Sequence, residues 1–151
     1  MIDDDGSIIA PGVFLPTAEK YDMSQDLDRW VIEHAMAWLA GESVGSNWPI
    51  RMTINLSAGS VGNQAMVNYI IEQAGLNAID PARVCFEMSE TSVTANLTAA
   101  TSFMLTLRAC GFRFSLDDFG NGLTSFTCLK KMPVDFLKID GKFVKDMQKN
   151  S

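Results

Sequence analysis

Long apolar runs, an excess of basic charge and paired cysteines are all missing from this 151-residue chain. No stretch approaches the roughly 20 consecutive apolar residues that a membrane-spanning helix needs, so no membrane segment is expected. The opening Met1-Ile-Asp-Asp-Asp-Gly6 has neither the basic start nor the apolar stretch of a signal peptide. Lysine and arginine number 12 against 18 aspartates and glutamates, a net charge of -6. That balance argues against DNA as a partner, because non-specific duplex binding depends on cations that neutralise phosphates. A small anionic ligand remains compatible with it, provided a metal ion brings the positive charge. Cys85, Cys110 and Cys128 are an odd set without C-x-x-C spacing, which reads as reduced packing residues of a cytoplasmic protein. Low-complexity linkers and fixed-period repeats are lacking too. What is present is 47% apolar content, enough for a single domain with a buried core and too much for a disordered chain.

The order along the chain is regular. A turn at Asp3 to Ser7 and an irregular stretch around Pro11-Gly12 and Pro16 come first. Leu27, Trp30, Val31, Ala35, Trp38 and Leu39 recur at helical steps, which predicts an amphipathic helix ended by Gly41, with Trp30 and Trp38 in its core face. Strands are expected at 51–56, 83–88, 112–117 and 135–139. The helices between them span about 60–74, with Gly75 as its stop, then a stretch capped by Asn96 and closed by Gly111, then a short one through Phe126 and Leu129. Lys142 opens a last helix, whose Lys145 and Lys149 suit its dipole. Strand alternating with helix in this way is the pattern of parallel βα units, and four are visible.

The polar residues collect at one kind of place. Asn55, Glu87, Glu90, Asp117, Asp118, Lys138 and Asp140 all fall at or just past the end of a predicted strand. In a parallel sheet or barrel the loops converge at that edge, and acids there cost desolvation unless they are paired or bind metal. An amide oxygen with several carboxylates is the donor set of a hard cation, Mg²⁺ or Mn²⁺. Adjacent Asp117 and Asp118 can bridge or serve two ions, as phosphoester hydrolysis requires. Lys138 can hold a phosphate or orient a water. Each residue also has a plainer reading: Asn55 as a turn cap, Gly120 and Gly122 as turn glycines, Lys138 as a lysine lying along apolar surface, and the acids as a solvated rim. His34, the single histidine, lies within the first predicted helix and reads as a packing or surface residue.

Five motifs stand together in one register: Asn55-Leu-Ser57, Glu87-Met-Ser-Glu90, Asp117-Asp-Phe-Gly120 with Gly122 and Ser125, Lys138-Ile-Asp140, and upstream Pro11 to Glu19 with Asp28-Arg-Trp-Val31. A lone tripeptide of this sort carries no information, but the ordered set resembles EAL domains, the phosphodiesterases that open the bacterial second messenger cyclic di-GMP. The resemblance implies a TIM-barrel-like (β/α)8 fold with one strand reversed. It implies Asn55, Glu87 and Asp117 as metal ligands, Asp118 as ligand of a second metal, and Lys138 as the residue that positions the attacking water. Glu90 would hold the loop from Asp118 to Phe126, which in the family couples dimerisation to metal binding, and Asp140 would be a supporting acid behind the ligands.

The departures set further expectations. The Glu-Ala-Leu strand that opens the family's domain and its last strands have no counterpart in residues 1–151. The expected object is a partial EAL domain of about four βα units, impaired or inactive as it stands. It would work as a homodimer that pairs half-barrels or as part of a larger multidomain signalling protein. Four strands alone would leave edges unpaired and the faces carrying Met52, Ile54, Phe86 and Phe114, or their neighbours, without a wall. Asn121, Leu123 and Thr124 replace the family's usual loop residues, and Ser89 its usual threonine. The activity implied is hydrolysis of cyclic di-GMP to linear pGpG in the cytoplasm. The alternative is a non-catalytic module that binds the dinucleotide or a protein partner.

Overall fold

A computed structural model describes residues 1–42, 51–120, 129–130 and 132–142. Two helices come first, α1 (Pro11–Lys20) and α2 (Ser24–Glu42), and then the chain alternates. β1 (Met52–Asn55) leads to α3 (Gln64–Leu76), and β2 (Val84–Ser89) to α4 (Glu90–Ala95) and α5 (Leu97–Ala109). β3 (Arg113–Phe119) and β4 (Phe136–Ile139) follow. The four strands pair in the order β1-β2-β3-β4, and each neighbouring pair is parallel. A sheet that always adds its next strand on the same side has no switch point. That is the winding of a barrel wall, not of a doubly wound open sheet. No described helix is long and apolar enough to cross a membrane.

The core lies between sheet and helices. Ile54, Phe86, Met88, Phe114 and Leu116 are buried with Met66 and Ile70 of α3 and Phe103, Met104 and Leu107 of α5. Phe114 meets Phe103 edge-on with centroids 6.3 Å apart, and Phe86 lies 5.5 Å from Phe112 and 6.0 Å from Phe114. In β1, β2 and β3 the even-numbered positions therefore face helices. Alternation sends Thr53, Asn55, Cys85, Glu87, Arg113, Ser115 and Asp117 to the other face. Of the two alternatives in that expectation, these residues or their neighbours, the neighbours are the ones without a wall: helices cover Ile54, Phe86 and Phe114, and the open face is the polar one.

Local chemistry sets the element ends. The Asn96 side chain accepts from the Ala99 amide and caps α5, while Gly111 follows its last turn at φ 103°, a backbone region costly to any residue with a Cβ. Asn63 caps α3 through the Ala65 amide, so the helix starts later than the pattern predicts, and Gly41 and Gly75 lie inside final turns. Pro11 to Lys20, expected to be irregular, is helical. Pro11 occupies the first turn, where a missing N–H costs nothing, and α1 buries none of its residues.

The α2 helix corrects a second expectation. Its buried stripe is Asp28, Ile32, Met36 and Leu39, whereas Trp30 and Trp38 are 56% and 51% exposed. An acid within the buried stripe and two indoles beside it rotate the apparent apolar face. Trp30 instead stacks on the exposed ring of His34, with centroids 4.0 Å apart. Cys110, expected in packing, is exposed, and Cys128, Lys145 and Lys149 lie outside the described residues.

These placements predict unequal costs. Phe86→Ala should lower the unfolding free energy in urea by about 3–5 kcal/mol. Trp30→Ala should lower it by under about 1 kcal/mol. Comparable losses would contradict the orientation of α2.

Candidate active site

Because all four strands run the same way, their carboxyl ends share one rim. Asn55 and Glu87 are Cα partners in the β1–β2 ladder, and the ladder extends past them through the Leu56 amide to the Glu87 carbonyl, 2.9 Å. Lys138 reaches across from β4, and its Nζ lies 2.7 Å from Glu87 Oε1 and 3.7 Å from Asp117 Oδ2. Three of the expected site residues thus meet in space although they are distant in sequence. The Glu87 side chain is only 7% exposed, that of Lys138 54%. The Glu87 hydrogen bond, and then the charges of Glu87 and Asp117, hold the Lys138 ammonium above the usual lysine range. Glu87 Oε2 has no hydrogen-bond donor among the described residues.

The two consecutive acids of β3 sit at a break in the ladder. Leu116 pairs with Leu137 and Phe119 with Ile139, so β3 carries one more residue than β4 over this stretch. Asp118, at φ 55°, is that irregularity, and its amide donates to Asp117 Oδ1 at 2.9 Å. In a regular strand neighbouring side chains point to opposite faces, and a bulge is the means of re-aiming one of them. Among the described residues no three His, Cys, Asp or Glu side chains converge closely enough to hold a metal ion. Glu87 and Asp117 share a lysine instead.

The remaining acids act on loops. Glu90, buried at the first position of α4, accepts from the Gly120 amide at 2.9 Å and so ties the end of β3 to that helix. Asp140 accepts from the Lys142 amide at 2.7 Å, a cap for the helical turn that begins at Gly141. Asn121 to Phe126, including Gly122, Leu123, Thr124 and Ser125, lie outside the described residues. Asp28 is named above only as part of the upstream motif, and its role is what sequence reasoning missed. Its Oδ2 accepts from the Ser57 amide and from the Ser57 and Ser60 hydroxyls in the segment just after Asn55. The signal was there, an acid inside a helical apolar stripe.

A second ionic cluster lies at the other end of the strands. Asp135, just before β4, takes Arg113 at 3.0 Å and Arg108 at 3.3 Å on Oδ1, and the Phe114 amide on Oδ2. Between the two clusters, burial first and then the Asp135 and Glu87 charges push the Cys85 thiol up to about 11. It stays protonated and inert at neutral pH.

A parallel, singly wound α/β sheet with acids and a lysine on its carboxyl rim defines part of a barrel-type α/β domain. The EAL domain family model matches residues 1–151, and the chain belongs to that family. It is 40% identical over 147 residues to the cyclic di-GMP phosphodiesterase PdeB of Shewanella oneidensis, covering 97% of this chain and 17% of PdeB. It is 32% identical over 151 residues to the cyclic di-GMP phosphodiesterase PdeF of Escherichia coli, covering 100% of this chain and 20% of PdeF. Among solved structures, the PaMucR phosphodiesterase in complex with c-di-GMP superposes with a TM-score of 0.88 at 27% identity. The FimX EAL domain from Pseudomonas aeruginosa bound to c-di-GMP gives 0.88 at 26%. This chain is covered to 97% and 98% by these matches, and spans 59% of the length of each of those two.

The lysine pair yields a pH prediction. A group whose value is raised on folding contributes stability that is complete below its unfolded value, here 10.5, and lost as pH climbs through the raised one. In EDTA-treated protein, a ¹³C NMR titration of Lys138 Cε should therefore show a midpoint above 10.5 that drops back in Glu87→Gln. A wild-type midpoint at or below 10.5 would rule the pairing out.

Proposed function

We propose that this chain supplies metal-binding and nucleophile-positioning residues for the hydrolysis of cyclic di-GMP to linear pGpG. The observation that carries the reading is the Glu87–Lys138–Asp117 cluster on the carboxyl rim of a chain whose family includes such phosphodiesterases. The donors suit Mg²⁺ or Mn²⁺. They are all oxygens, a nearly buried carboxylate oxygen stands without a donor, and an ammonium lies between two acids where a cation is favoured. Asn55, Glu87 and Asp117 would hold one ion, with Asp118 serving a second. Such an ion supplies a lowered water pKa and charge neutralisation at phosphorus when bound.

This chain's own groups then have distinct tasks. Lys138 orients the attacking water and keeps a positive charge beside the phosphoryl oxygens. Glu87 fixes the Nζ of Lys138 through its 2.7 Å hydrogen bond. The water oxygen bonds to phosphorus, one P–O ester bond breaks, and the freed ribose oxygen takes up the proton the water gives away. Glu90, through Gly120, keeps the segment after Asp118 in place. Asp140 supports the rim from behind.

The test is chromatographic. With Mn²⁺ present any conversion of cyclic di-GMP to linear pGpG should be slow, in keeping with the impairment expected above, EDTA should abolish the product, and Glu87→Gln should slow the reaction on the order of 100-fold or more. A folded wild-type protein that binds the dinucleotide without cutting it would favour the binding-module reading. One that neither binds nor cuts would refute both.

A further inference from the structure

Helix α2 lies outside the sheet, yet one of its acids controls the backbone that leaves β1. Asp28 is 8% exposed and has no cationic partner among the described residues. Its Oδ2 alone accepts three hydrogen bonds, from the Ser57 amide at 2.9 Å, the Ser57 hydroxyl at 2.6 Å and the Ser60 hydroxyl at 2.6 Å. A buried carboxylate costs much unless it is fully hydrogen-bonded, so its retention within an apolar stripe needs a return elsewhere. The groups it binds begin two residues after Asn55. Asn55 itself is the last residue of β1, held on one side by pairing with Glu87.

The same helix face grips the rest of this connection. Gln25, one turn before Asp28, accepts from Asn63 Nδ2 at 2.8 Å, and Asn63 in turn caps α3. Gly59 lies against the Gln25 side chain, whose Nε2 would stand 3.3 Å from a Cβ at that position. Residues 57–63 are thus shaped by α2 from both ends. A rim residue flanked by a paired strand and a loop clamped at a single carboxylate oxygen has little freedom to retreat.

We infer that Asp28 is a positioning residue for the metal site: by holding Ser57 and Ser60 it fixes where β1 ends and so where Asn55 presents its amide oxygen to a divalent cation. This rests on the metal-dependent reading above. Groups that orient metal ligands without touching the metal typically govern affinity by roughly 10- to 100-fold.

Mn²⁺ binding, counted by electron paramagnetic resonance of the free ion, reads this out without turnover. Asp28→Ala should weaken Mn²⁺ binding about tenfold or more. Asp28→Asn, which keeps one acceptor oxygen, should fall between it and the wild type, and Ser60→Ala should show a smaller loss in the same direction. Tyr69→Phe is the control: it removes a 3.3 Å bond from α3 to the Arg29 carbonyl on α2, so it lowers the melting temperature while leaving Mn²⁺ affinity unchanged. If Asp28→Ala does not fold, Asp28→Asn and Ser60→Ala decide. Wild-type affinity in the folded Asp28 variants, or a loss equalled by Tyr69→Phe, overturns the assignment of Asp28 alone. A wild-type protein that takes up no Mn²⁺ overturns the metal reading and this inference with it.

Discussion

A carboxylate that is 7% exposed must find positive charge, and the position of Glu87 on β2 makes that demand the centre of the rim. Lys138 answers it from β4, across the intervening β3. The contact needs β2, β3 and β4 in parallel register with their ends aligned. It also needs the face opposite the helices to be polar. Fold and site are therefore one constraint: the apolar even positions of β1 to β3 fill the space under the helices, and the same alternation places Asn55, Glu87 and Asp117 on the open side.

Much of this was legible in the sequence because it is local or periodic. Strands stood out as short β-branched and aromatic runs, and Asn96 and Gly111 marked the ends of α5 by cap chemistry alone. Polar residues clustered at strand exits, which in a parallel arrangement means clustering in space, and the ordered motifs pointed to the family that the comparison shows. The meeting of Glu87 with Lys138 follows once the strands are ordered.

What remained hidden depends on which way a face turns. Apolar content alone cannot say whether Phe86 and Phe114 look toward helices or toward a barrel interior, since both environments accept phenylalanine. On α2 the pattern set by Trp30 and Trp38 outweighed the true stripe because a buried Asp28 interrupts it. Whether the acid is buried is decided by Ser57 and Ser60, some thirty residues on. The bulge at Asp118 is likewise set by pairing with β4 and not by Asp117-Asp118 itself.

The two ionic clusters at opposite ends of the strands show how one sheet separates holding from acting. At the amino end a single acid, Asp135, has two guanidinium groups and a backbone amide, so its charge is more than answered. Such a knot ties β3, β4 and α5 together and leaves nothing for a ligand. At the carboxyl end the ratio inverts: one lysine serves two acids, a third lies beside them in sequence, and Glu87 Oε2 has no donor among the described residues. The excess is negative and lies on the face the helices do not cover. In a chain of net charge -6, that rim alone would repel the anionic dinucleotide of the proposed function. Divalent cations on the same oxygens would reverse the sign of the local field, so in the proposed function metal binding and recognition of the phosphates would be a single electrostatic requirement.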